Sequence, residues 1–310
     1  MATTSLRTAY GEELVELGKA DNRIVALEAD LGKSTMSCLF QAAYPERYFE
    51  MSIAEANMAS TAAGLALTGK IPFINSFAVF STGRCYDQLR QTIGIAGLDV
   101  KICGSSAGLS DYGDGSTHQS IEDMSMMRGI PGMTVLVPAD AVETRKMVRA
   151  MVKNPGPMYI RINRNDLPVV TPEEGEYQIG KLVTVRDGAE VVVFANGVMV
   201  SKSLAAAEEL AKSGVSVKVV NVSTIKPLDR QGVIDAVKGA KAVVTAEEHS
   251  VIGGLGSAIA EALRLETGIP LDFVGIEDKY GTSALNYDEL LEHYGLTVDA
   301  IVSRVKELLK

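Results

Sequence analysis

MSIAEANMASTAAGLALTG (residues 51–69), followed almost at once by IPFINSF (71–77), decides the fold. Small and apolar residues recur through the first segment at helical spacing, and a short run rich in β-branched and aromatic residues follows. The same alternation extends to both sides. IVALEAD (24–30), VKICGSS (100–106), TVLVPAD (134–140) and MYIRI (158–162) have strand character, and most precede stretches whose apolar residues return every three or four positions. Strands alternating with helices build parallel βαβ units, so the expected class is α/β with doubly wound sheets. Ligands in such sheets bind at the carboxyl ends of strands, where polar residues and glycines cluster in this chain.

Further along, periodicity fades between Asn163 and Gly188 into Pro168, Pro172, Glu173, Glu174, Glu176 and the Asp187-Gly188 turn. A second series then begins with VVVFANG (191–197), VSVKVVNV (215–222) and AVVTAEE (242–248), each with a helical pattern after it. The expected organisation is a first domain over 1–168, a linker over 169–189 and a smaller α/β domain over 190–310. Thr297 is a candidate N-cap for the last helix. A chain of 310 residues, 46% hydrophobic, is large enough for two cores.

A net charge of -9 argues against a nucleic-acid partner, which requires a basic face. The uncharged stretches are shorter than the roughly 20 residues of a membrane span, and the N-terminus has no signal-peptide pattern. Cys38, Cys85 and Cys103 are odd in number, without metal-ligand spacing, and fit a reduced cytoplasm.

Four groups of residues can carry chemistry. Glu55 lies in a helix with no basic residue between Arg47 and Lys70, where burial favours a carboxyl able to share a proton; alternatively, Ser52 and Glu55 form an S-x-x-E capping box. In the Gly-, Ser- and Asp-rich segment 105–132, Asp114 and His118 can bind hydroxyls or move protons, or belong to an ordinary surface loop. Phe77 and Phe80, three residues apart, can share one side of a helical turn, or be core. Arg164, past a strand end in RINRNDLP, suits bidentate phosphate capture, or is a solvated surface arginine. Two motifs fail: Ile259 breaks G-x-G-x-x-G in VIGGLGSAIAEAL, and Gly113-Asp114-Gly115 lacks the downstream asparagine of a thiamine-diphosphate metal motif, so no metal ligand is assigned.

Taken in order, EADLGKST, SIAEANMASTAAGLALTG, PFINSFAVFSTGRCYDQLR, AGLSDYGDGSTHQSIEDM, GIPGMTVLVPAD and INRNDLP resemble the pyrimidine-binding and C-terminal domains of transketolase over nearly the whole chain, closest to the split transketolases. The resemblance implies that Glu55 binds the ring nitrogen of the aminopyrimidine of thiamine diphosphate and passes a proton to it. It implies that Phe77 and Phe80 pack the pyrimidine. Arg7 (in TSLRTAYG), Ser34 and Arg164 then hold the substrate's phosphate, Asp114 selects a substrate hydroxyl, and His118 binds the hydroxyls of the transferred ketol group.

It further implies a cytoplasmic enzyme of carbohydrate metabolism that moves a two-carbon ketol unit between sugar phosphates. Mg2+ and the diphosphate would be held mainly by an N-terminal partner subunit, the two kinds of chain assembling as a heterotetramer. Departures fall on the substrate side. DYGDGSTHQ stands for the usual GEDGPTHQ, no histidine stands near Gly104, Ser105 and Ser106, and a third aromatic is replaced near Gly83. Pentose phosphates, branched sugars and sulfonated sugars all stay open as substrates. The rivals are the beta subunit of a 2-oxo-acid dehydrogenase's decarboxylase component, a deoxyxylulose-phosphate synthase and a non-catalytic partner subunit. The segment around His249 and Gly254 is either a subunit contact or an ordinary strand, turn and helix.

Overall fold

Among the described residues, the part of the chain up to Pro168 holds eight strands: β1 (Thr3–Ser5), β2 (Ile24–Glu28), β3 (Tyr48–Glu50), β4 (Ile71–Phe77), β5 (Lys101–Ser105), β6 (Thr134–Leu136), β7 (Met158–Arg161) and β8 (Asp166–Pro168). The second half adds β9 (Val183–Arg186), β10 (Val191–Ala195), β11 (Val217–Asn221), β12 (Thr224–Lys226), β13 (Ala242–Ser250) and β14 (Leu271–Ile276). These come from a computed structural model that describes residues 3–266 and 268–310. β2, β4, β5, β7 and β10 are buried at every position, as expected of parallel strands covered by helices on both faces.

The first sheet has the order β12-β6-β7-β5-β4-β2-β3, parallel except for β12. The second has the order β14-β13-β10-β11-β9, parallel except for β9. The α/β class is therefore as read, with two departures. β9 lies inside the stretch expected to be an irregular linker, its Val-Thr-Val-Arg pairing antiparallel with β11. β12, which follows β11 in sequence, leaves the second sheet and pairs with β6 of the first.

Helix ends follow the local chemistry. Asp140, Asp229 and Thr297 each cap a helix by accepting from the backbone N–H three residues on, Thr297 as expected. Asp140 also accepts from Val170 N (2.8 Å) and Thr171 N (2.7 Å), fixing the chain where it leaves the first sheet. Around His249 and Gly254 the chain forms a strand, a turn and the helix Leu255–Leu263. Buried Glu247 accepts from Leu255 N (2.6 Å) and Gly256 N (2.8 Å) at that helix start. A Cβ on Gly254 would stand 2.0 Å from Glu247 Oε2, which explains the glycine.

Burial pushes Glu28, Glu143, Glu247 and Glu248 each up to about 7, and lowers His249 to about 4. The four glutamates bind protons more tightly folded than unfolded, so their contribution is full below the unfolded value of about 4.3 and is lost as pH rises to about 7. His249 acts oppositely, losing stability as pH falls through about 6.5 toward 4, but it is one group against four. The chain is expected to melt at a lower temperature near pH 7.5 than near pH 5.5, measurable by calorimetry at constant ionic strength. A flat profile would show that these carboxyls titrate normally.

Candidate functional site

The carboxyl ends of β2, β3, β4, β5 and β7 lie along one edge of the first sheet, and every candidate residue but Arg7 comes from a segment leaving that edge. Ser34 follows β2, Glu55 begins the helix Glu55–Leu67 after β3, and Phe77 ends β4. Asp114 and His118 follow β5, and Arg164 follows β7. Arg7 arrives separately, near the start of the helix Leu6–Ala20, beside the β1/β8 pair.

Glu55 is 1% exposed. Its Oε1 accepts from Arg84 Nη1 at 2.9 Å, while Oε2 is buried and has no hydrogen-bond partner among the described residues. The capping box is not formed. Ala54 occupies the N-cap position without a side-chain bond, and Ser52, at φ +55°, lies outside the helix with its N–H on Glu50. The cation on Glu55 is not a local one: Arg84 reaches it from 29 positions along the chain.

The same guanidinium lies 4.4 Å over the Phe80 ring. Phe77 and Phe80 stand 6.2 Å apart and 12° from parallel, and the His118 ring meets both edgewise, at 6.2 and 5.3 Å. They do not share a regular helical turn. Phe77 is the last strand residue, and Phe80 sits in the wide turn Val79–Arg84 that follows. His118 follows the short turn Gly115–Thr117, and the next α-helix begins only at Asp123.

Arg164 links this cluster to an anionic neighbour. Its guanidinium lies 5.7 Å from the Phe77 ring, and its Nη1 donates to Asp111 Oδ2 at 2.9 Å. Arg7 donates to the Arg164 carbonyl (3.1 Å) and to the Ser34 carbonyl (2.7 Å). Ser34 thus enters the cluster through its backbone. Burial, and then the like charge of Arg164, lower the Arg7 pKa. Asp111 is buried and Asp114 exposed; burial raises the Asp111 pKa, Arg164 and His118 oppose that, and Asp114 adds to it.

Arg84 and Asp111 are the residues that motif reading missed. The only available signal was a charged residue embedded in an otherwise small and polar segment. Of the departures noted in the sequence, Gly104 has a steric cause: a Cβ there would lie 2.3 Å from Tyr159 Oη. The Ser105 and Ser106 hydroxyls beside it are buried, without partners among the described residues. A cavity of about 550 Å³ between Arg128, Lys226, Arg230 and Arg264 is lined by none of the candidate residues.

This arrangement can hold a flat heteroaromatic ring against the two phenylalanines, with an acid at its polar edge. The free Glu55 oxygen is the feature such a ring nitrogen would satisfy, so the residues present fit an aminopyrimidine.

Comparison with known proteins agrees with the geometry. Residues 2–170 match the model of the transketolase pyrimidine-binding domain, and residues 180–301 that of the transketolase C-terminal domain. The chain is 43% identical to a 6-deoxy-6-sulfo-D-fructose transketolase subunit of Clostridium sp., covering 98% of this chain and 94% of that one. It is 40% identical to a protein described as a transketolase C-terminal section from Methanocaldococcus jannaschii, covering 98% and 96%. Against the transketolase of Mus musculus it is 37% identical but spans 49% of that protein. Among solved structures, a split-gene transketolase described as an inactive beta4 tetramer matches with a TM-score of 0.90 and 43% identity, covering 99% of both chains.

Proposed function

The chain belongs to the transketolase family, and from that premise we propose that it is the pyrimidine-binding subunit of a two-chain, thiamine-diphosphate-dependent transketolase that moves a two-carbon ketol unit from a ketose to an aldose. The observation that carries this reading is the unpartnered, buried Oε2 of Glu55 beside the Phe77 and Phe80 rings. Thiamine diphosphate, when bound, supplies the electron sink for carbon–carbon bond cleavage. This chain binds and orients the ring through Phe77 and Phe80, and Glu55 holds a proton at its edge. His118, against both rings, binds the hydroxyls of the ketol unit, with Asp114 nearby, and Arg7, Arg164 and the Ser34 segment receive the charged end of the sugar.

Mg2+ and the diphosphate fall to an N-terminal partner subunit, in a heterotetramer. Relatives described as a subunit or a C-terminal section span the same length as this chain, and the split-gene relative made only of such chains is described as inactive. The outward face of the helix Glu55–Leu67 supports a docking surface next to Glu55. Asn57, Ser60, Gly64 and Leu67 are exposed there without a charge among them, and Ile53 is 70% exposed just before the helix. Cys38, Cys85 and Cys103 are free. Among the described residues no helix is long and apolar enough to cross a membrane.

The test is reconstitution. Mixed with a diphosphate-binding subunit, thiamine diphosphate and Mg2+, the chain is expected to transfer two carbons from a ketose to an aldose phosphate, and to do nothing with pyruvate and a lipoyl acceptor. Pyruvate decarboxylation without ketol transfer would assign it instead to the 2-oxo-acid dehydrogenases.

A further inference from the structure

Resting on the reading of this site as a ketose-binding cleft, we propose that Asp111 is a specificity-determining residue that sets the distal end of the cleft for a singly charged, sulfonate-type terminal group in preference to a phosphate dianion. Arg7 and Arg164 lie side by side there, the Arg7 Nε donating to the Arg164 carbonyl at 3.1 Å, and the like charge of Arg164 helps lower the Arg7 pKa after burial. Such a pair alone would favour a dianion. The buried carboxylate of Asp111 changes the balance, because it pairs with Arg164 at 2.9 Å and takes up part of the donor fork that a bidentate phosphate would need. With Asp111 ionised, the three groups sum to one positive charge rather than two.

Two further carboxylates act in the same direction. Asp166 lies in the field of Arg7, and Asp114 in that of Asp111. His118 is the other titratable group acting on Asp111, and it packs edgewise on Phe77 and Phe80. Where the chain turns after β5, the side chains are the hydroxyls of Ser105 and Ser106, buried and unpartnered, which bring no charge. Asp111 therefore takes away twice as much of the arginines' attraction for a dianion as of that for a monoanion, while both offer three acceptor oxygens. A sulfonate keeps its single charge at neutral pH, whereas a phosphate monoester carries close to two.

Asp111 also has a structural duty, since its carbonyl accepts from Gln119 Nε2 at 3.1 Å. The substitution Asp111→Asn keeps the shape and the acceptor while deleting the charge, so it separates the two roles. In the assembly with the diphosphate-binding subunit, fructose 6-phosphate and 6-deoxy-6-sulfofructose are compared as ketol donors. The natural protein is expected to have the lower KM for the sulfonate. In Asp111→Asn the phosphate-over-sulfonate ratio of kcat/KM is expected to rise about tenfold, through KM rather than kcat, a change of about 1.4 kcal/mol. A natural preference for phosphate, equal use of unsubstituted fructose, or a variant that weakens both donors alike would overturn the proposal while leaving ketol transfer standing. Turnover of none of the three donors would overturn both.

Discussion

Glu55→Gln in the assembled enzyme is expected to lower kcat by about 10³-fold, within the span that positioned acids and bases contribute. Glutamine preserves the volume, and its oxygen can still accept from Arg84. It cannot hold or release a proton at the position of Oε2, the atom left without a partner among the described residues. Folding should survive, because the charge left behind belongs to Arg84, whose side chain is 48% exposed and stays hydrated. The reverse substitution is the harsher one for stability: Arg84→Ala strands a carboxylate that is 1% exposed. Steady-state rates with a saturating donor, set beside melting curves, separate the two effects. Near-normal turnover of Glu55→Gln would remove Glu55 from the chemistry, and the cofactor assignment with it.

The parts of this site that could be read in the sequence are those carried by one short segment each. Glu55 stands out because its helix contains no other charge, and His118 because a histidine in a run of Gly, Ser and Asp has few structural uses. Arg84 and Asp111 could not be found that way. Each matters through a partner brought to it by the fold, Glu55 across two elements and Arg164 across 53 positions. The sheets divide in the same manner. Long buried strands such as β2, β4 and β10 announce themselves by composition, whereas β9 and β12 are four and three residues long. β6 and β7 are no longer but are largely buried, parallel and part of apolar runs, whereas β9 is partly exposed and both β9 and β12 pair antiparallel with an existing edge, which composition does not announce. The crossing of β12 onto the first sheet therefore stayed hidden, although it helps join the two domains.

That joining is completed by a buried charge network, and Arg161→Met is expected to destabilise the chain by about 3–5 kcal/mol, the usual cost of removing one partner from a buried ion pair. Arg161 is 5% exposed at the end of β7. It donates to Asp123 Oδ2 (2.8 Å) from the first domain and to the Glu248 carbonyl (2.8 Å) from the second. Without it Asp123 and Glu248 remain buried with no cation in contact among the described residues, where Asp123 Oδ1 already has no partner. Glu248 also holds the loop that carries Asp111 and His118, accepting from Leu109 N at 2.8 Å and from Asn163 Nδ2 at 3.2 Å. Methionine should thus loosen the domain junction and the substrate loop together. In urea, one joint transition is expected to split into two, with the KM for the ketose raised in the assembled enzyme. The double substitution with Asp123→Leu tests the cause: if the stranded charge is the source, removing that carboxylate restores part of the loss. If Arg161→Met costs less than about 1 kcal/mol, the network is a spectator, and the surrounding apolar packing alone holds the domains together.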